Sequence, residues 1–183
     1  NLIESGLGQL FGEPIDVVTG GFLITATDFT LANIREDIRV QRKYNSTRKE
    51  SGLLGPGWKF TYEGRLYRDG NRLHAMLDSG VTALFEWDGK KAENLTRGHE
   101  WLELKKEEDG WKICDRKSHK IHYYDSQGFL IAVEDQNGQR ICLSYEGGVL
   151  KRITTPLGYE LEVEIRDDRL LQLKDSIGRT MQY

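Results

Sequence analysis

Cysteine and proline are scarce in this 183-residue chain, which has two of the first and three of the second. Two thiols, Cys114 and Cys142, are too few to make a disulfide framework. So few prolines leave strands and hairpins largely uninterrupted. No apolar run approaches the ~20 residues needed to cross a bilayer. Residues 1–30 lack the basic start and apolar stretch of a secretory signal. Charge of one sign is lacking too: 26 Lys and Arg against 29 Asp and Glu leave a net charge of -3, so nothing general favours nucleic acid or an anionic membrane. Gly-x-Ser-x-Gly, His-Glu-x-x-His and phosphate-loop patterns are all missing, so no familiar hydrolase or nucleotide signature points to an enzyme or a cofactor. Beginning at Asn1 rather than Met, the chain reads as a part of something longer, with room for targeting information upstream.

What the chain does have is glycine, twenty residues of it, spread along the sequence as tight reversals require. Charged residues make up 30% and hydrophobic ones 38%, a balance that fits a folded protein with a heavily charged surface.

The spacing becomes regular after residue 113. Asp135-Gln136-Asn137-Gly138, Thr155-Pro156-Leu157-Gly158 and Asp175-Ser176-Ile177-Gly178 recur every twenty residues, and Asp115-Arg116-Lys117-Ser118 fits the same slot with serine for glycine. Half a period later come Gly128 and Gly148, with Asp168 in the third place.

Between these turns the apolar residues alternate on odd numbers: Ile121, Tyr123, Phe129, Ile131, Val133, Ile141, Leu143, Tyr145, Ile153, Tyr159, Leu161, Val163, Ile165, Leu171, Leu173, Met181 and Tyr183. Even positions carry His122, Glu134, Arg140, Ser144, Arg152, Glu160, Glu162, Glu164, Gln172 and Lys174. A period of two is a strand with one apolar and one polar face. Leu130, Leu150 and Leu170 break the parity, again at twenty-residue intervals. Reversals about every ten residues leave no length for parallel crossovers, so each repeat is a hairpin in an antiparallel meander.

The apolar face of such a sheet must be covered. At roughly 25 cal/mol per Å², leaving it bare would forgo tens of kcal/mol. Residues 1–100, a second copy, a curled continuation of the sheet or an enclosed cargo are the candidate covers. In this sheet the two cysteines lie about three strands apart, roughly 14 Å at the usual strand spacing. That exceeds the ~7 Å reach of a disulfide, so two free thiols are expected.

Three stretches follow: residues 1–62 with short strands and a Gly/Pro loop, 63–112 with degenerate hairpins, and 113–183 with the repeats. In the first, strands are expected at about 15–18, 21–27 and 36–45, then an irregular loop from Ser51 to Trp58. In the second, turns fall at Asp69-Gly70, Ser79-Gly80, Asp88-Gly89 and Glu108-Asp109-Gly110. Nothing reads as helix.

Residues with chemistry do not converge. His119 and His122, three apart on a strand, point to opposite faces and cannot join Cys114 around a metal; they read as exposed or turn-lying histidines. Asp135-Gln136-Asn137-Gly138 lacks the further carboxylates of a calcium loop. Glu160, Glu162 and Glu164 read as a solvated strand face rather than a glycosidase pair. The basic group Arg35, Arg39, Arg42, Lys43, Arg48 and Lys49 is diluted by Glu36, Asp37 and Glu50. Trp58, Trp87, Trp101 and Trp111 are core anchors or end caps, or ligand contacts that stack on sugars.

The first sixty residues carry a family resemblance. Pro14, Asp16, Thr19 and Gly20 fit a Pro-x-Asp-x-x-Thr-Gly pattern. Arg42, Tyr44, Asn45 and Ser46 fit Arg-x-Tyr-Asn-Ser, and Leu54 through Trp58 read Leu-Gly-Pro-Gly-Trp. In this order they resemble the opening of the repeat core of bacterial Rhs and wall-associated YD-repeat proteins. Tyr124-Asp125 and Tyr145-Glu146 are similar to the YD repeat itself, with Glu146 departing from Asp and Ile165 standing where a third tyrosine would be.

The resemblance implies an all-β spiral closing into a hollow cage around a variable C-terminal toxin or effector domain. The chain's role would be structural and non-catalytic. Its partners would be the rest of its own shell and that enclosed domain, with no nucleic acid and no membrane span in this stretch. Relatives of this kind are secreted, reach their targets by contact-dependent or secretion-system routes, or sit in Gram-positive cell walls. The alternative is a carbohydrate-binding or adhesive surface module acting through the tryptophans.

Overall fold

The computed structural model describes residues 21–33 and 37–183. The strand expected at 15–18, the family positions Pro14, Asp16, Thr19 and Gly20, and Arg35 of the basic group lie outside the described residues. Among the described residues every regular element is a strand.

Strands β1 (Leu23–Leu31) and β2 (Ile38–Asn45) form a long hairpin. A two-residue ladder of β3 (Ser51–Gly52) and β4 (Gly55–Pro56) follows inside the stretch expected to be irregular. Then β5 (Trp58–Phe60) pairs with β2. A four-stranded meander comes next: β6 (Arg65–Asp69), β7 (Arg72–Met76), β8 (Thr82–Trp87) and β9 (Ala92–Asn94).

The remainder is one nine-stranded antiparallel sheet. Its strands, in spatial order, are β10 (Leu102–Glu107), β11 (Gly110–Asp115), β12 (Lys120–Asp125), β13 (Leu130–Glu134), β14 (Arg140–Glu146), β15 (Val149–Thr154), β16 (Glu160–Arg166), β17 (Arg169–Asp175) and β18 (Thr180–Gln182). Each strand pairs only with its neighbours in sequence, which is the expected meander.

The parity break at Leu130, Leu150 and Leu170 has a structural cause. In three hairpins the register slips by one residue: Tyr123↔Ala132 is followed by Tyr124↔Leu130, Ser144↔Arg152 by Tyr145↔Leu150, and Glu164↔Gln172 by Ile165↔Leu170. Ile131, Lys151 and Leu171 are the extra residues of three β-bulges, and each bulge turns the preceding leucine inward. All three leucines are buried. The twenty-residue repeat is therefore a repeated bulge as well as a repeated turn.

Odd parity holds in β14 and β16, where Leu143, Leu161 and Val163 are buried, but it fails in β12. There His122 and Tyr124 face the core, while Ile121 and Tyr123 are only half-buried on the other face. Ile131, expected inward, is exposed. The reason is loop length. Tyr124 and Leu130 are six residues apart, whereas Tyr145 and Leu150, like Ile165 and Leu170, are five apart. The longer first loop shifts β12 by one residue, which reverses its faces.

Two expected stand-ins for glycine fare differently. Asp167 and Asp168 both take positive φ (51° and 57°), as Gly147 and Gly148 do in the preceding repeat. In the turn after Asp115 the left-handed residue is His119 (φ 56°), not Ser118; aspartate and histidine are among the few side chains that tolerate this region.

The apolar face of the nine-stranded sheet is covered by the chain itself. One continuous core runs from Phe29, Val40, Phe60 and Tyr62 through Leu73, Leu77 and Phe85 to Ile113, Leu130, Ile153, Leu161 and Leu173. Of the covers considered, residues 21–95 supply it. Cys114 and Cys142 sit three strands apart, on β11 and β14, as free thiols.

Candidate functional site

Of the buried polar residues, Thr155 and Asp175 lie in repeat turns, while Lys59, Asp78 and His122 gather where the earlier sheets meet the nine-stranded one. The turn from β7 to β8 carries Asp78, and the reversed face of β12 brings His122 against it. His122 Nε2 donates to Asp78 Oδ1 at 2.7 Å, and Lys120 Nζ lies 3.8 Å from Asp78 Oδ2. His122 is 1% exposed. The expectation of an exposed histidine is wrong here, for the same one-residue shift that reversed β12, whereas His119 does lie exposed in its turn.

Burial would raise the Asp78 pKa, but the His122 hydrogen bond and charge, with Lys120 behind, outweigh it and hold the carboxyl at about 2. Next to this pair, Tyr124 Oη donates to the Met76 carbonyl at 3.2 Å, and burial pushes its phenol well above the usual range.

A second buried group braces the same turn from β5. Lys59 Nζ donates to the Leu77 carbonyl, and Arg48 Nη2 donates to the Gly80 carbonyl at 3.1 Å. Lys59 is 3% exposed. Burial first, and then the Arg48 charge, bring its pKa down from 10.5 to about 7. The lysine borders a cavity of about 540 Å³ that also has Arg48, Trp58, Glu63, Tyr67 and His74 in its walls.

Three further contacts join the sheets. Leu66 N donates to Gly128 O at 2.9 Å, with Arg65 and Phe129 forming a β-bridge beside it. The Arg65 guanidinium carbon lies 3.4 Å from the Phe129 ring centroid. At the other end of the nine-stranded sheet, Leu170 N donates to Leu53 O at 2.9 Å and Tyr183 Oη donates to Asp28 at 2.6 Å.

The four tryptophans do not form one surface. Trp87 and Trp111 meet edge to face, ring centres 5.1 Å apart, and tie β8 to β11. Trp58 packs on Tyr44 under the Arg42 guanidinium, and Trp101 packs on His99 beneath Lys117. Trp58 alone of the four borders the Lys59 cavity.

The remaining candidates are occupied locally. Asp135 Oδ1 accepts from Asn137 N and Gln139 N within its own turn. Glu160, Glu162 and Glu164 pair with Arg152, Lys174 and Arg166. Arg42 pairs with Asp28. Among the described residues no group of three or more His, Cys, Asp or Glu could hold a metal ion.

Sequence reasoning missed Asp78, His122 and Lys59 as partners of the core. The six-residue spacing from Tyr124 to Leu130 was the available signal for His122. Lys59, between Trp58 and Phe60 on a three-residue strand, offers none.

Comparison with known proteins adds two findings. A family described as a domain of unknown function, DUF6531, matches residues 12–85. A curated relative, "Double-stranded DNA deaminase toxin A" of Burkholderia cenocepacia (strain H111), is 30% identical over 155 residues, covering 75% of this chain and 10% of the relative. The chain thus spans about a tenth of the length of that relative. The two matches fit a polymorphic-toxin-like family.

Proposed function

We propose that this chain is a non-catalytic wall segment of a polymorphic toxin of the Rhs/YD-repeat type, forming part of a β-cage that encloses or presents a C-terminal toxin domain. The observation that carries the reading is the bulged hairpin repeated at Leu130, Leu150 and Leu170 in a sheet where each strand pairs only with its sequence neighbours. Such a unit can be added at the β18 edge without changing the earlier ones, which is how a sheet grows into a wall.

The seam chemistry supports a structural role as well. Asp78 Oδ1 and His122 Nε2 are committed to each other, with Lys120 behind the carboxylate, so the pair ties β12 to the β7–β8 turn. The activity in the relative's name belongs to that protein. In a protein built the same way around this chain, the toxic chemistry would reside elsewhere, and the whole would be secreted or delivered by a secretion system.

Limited proteolysis of the whole protein tests the reading, with Leu150→Asp and Leu170→Asp introduced into the wall. Release of the C-terminal domain should be slow in the parent and fast in the variants. Equal rates of release would mean that this sheet encloses nothing.

A further inference from the structure

Lys59 is a buried amine whose two nearest acidic neighbours are committed elsewhere. Glu63 accepts from the backbone N–H of Leu53 at 2.7 Å and of Phe60 at 3.1 Å, while Asp78 is held by His122. Among the described residues Lys59 forms no ion pair, and its ammonium nitrogen hydrogen-bonds to the Leu77 carbonyl. Arg48, braced on Gly80 O, adds a like charge beside it.

Burial and a neighbouring cation both disfavour an ammonium, so near neutral pH a substantial share of Lys59 is the free amine. A neutral amine donates one N–H to Leu77 and keeps its lone pair. The cavity that Lys59 borders, at about 540 Å³, is in the range that holds a small organic molecule. Arg48 stands in the same wall, with one N–H committed to Gly80 O. Trp58 and Tyr67 add apolar and aromatic surface.

We propose that Lys59 is a covalent binding site for a small aldehyde or keto acid bearing an anionic group, with the Arg48 guanidinium receiving that anion. The amine lone pair attacks the carbonyl carbon and the C=O π electrons move to oxygen. A proton passes from nitrogen to that oxygen to give a carbinolamine. Loss of water then leaves the imine. No oxidant or reductant is consumed, and no turnover is required, so the site is compatible with a wall that catalyses nothing.

The test uses pyridoxal 5′-phosphate on the 183-residue chain, with cyanoborohydride supplying hydride to trap the imine and peptide mass mapping to locate it. Lys59 should carry most of the adduct at neutral pH, ahead of the exposed Lys105 and Lys117, with a half-maximal rate near pH 7. Arg48→Gln should slow labelling about tenfold, the worth of one charge-assisted hydrogen bond. It should also move the half-maximal rate to higher pH, and inorganic phosphate should compete in the parent chain. The parent measurement stands even if the variant folds poorly. Adduct spread evenly over surface lysines, or an unlabelled Lys59 in a chain with an intact β-sheet circular dichroism spectrum, would overturn the proposal.

Discussion

The nine-stranded sheet and the part of the chain that covers it are held together by different means. From β10 to β18 each strand meets its partner across a short turn, and in three of the hairpins the repeated leucine and bulge fix the register locally. Residues 21–95 form shorter sheets that pair less extensively, and their hold on the large sheet comes from contacts far apart in sequence: Asp78 with His122, Met76 with Tyr124, Leu66 with Gly128 and Asp28 with Tyr183. A repeat supplies strand pairing cheaply because one solution serves many times. Closing the apolar face needs side chains that occur once.

If that contrast is right, damage to the seam should cost more than damage to a repeat. The most severe change should be Gly128→Ala. A Cβ there would stand 1.9 Å from the Leu66 carbonyl oxygen, on a backbone with φ of +83°. The hairpin would have to leave β6, at about 4–5 kcal/mol in denaturant unfolding.

Asp78→Ala should follow at about 3–4 kcal/mol, because it leaves His122 buried without its acceptor. Glu162→Ala, which removes an exposed partner of Lys174, should stay within about 0.5 kcal/mol. Equal effects for these two would dissolve the distinction between seam and repeat.

Within the repeat, Leu150→Ala should cost about 3 kcal/mol by opening a cavity under the sheet. Lys151→Ala, at the adjoining bulge, should be close to neutral.

A smaller effect should appear as a pH dependence. The Lys59 pKa falls from 10.5 to about 7 on folding. Above pH 7 the unfolded chain therefore holds a proton that the folded chain has released, and stability rises with pH in that window. Chemical denaturation at pH 7 and 9 should show a gain on the order of 2 kcal/mol that Lys59→Met abolishes. Asp78 acts in the opposite range: its depressed pKa contributes stability above about pH 4, lost as the pH falls toward 2.

Smaller again, and far below Gly128→Ala, should be the effect of Gly158→Ala. Gly158 lies at the tip of a repeat turn with φ of +80° and nothing within 4 Å of the added carbon. The expected cost is about 1 kcal/mol, from backbone strain alone.

The all-β class, the antiparallel meander, the turn positions and the two free thiols were legible in the residues, because strand alternation and reversal chemistry act over a few neighbours. The candidate site was not. Asp78 and His122 are forty-four positions apart, and one additional residue between Tyr124 and Leu130 decided which face of β12 would meet the turn.

The chain by itself determined the repeated bulged hairpin and its one greasy side. Only the tertiary structure decided what lies over that side, which histidine is buried, and that the Lys59 pKa is pushed down. Those outcomes depend on desolvation and on partners brought together from distant strands, and no local pattern records either.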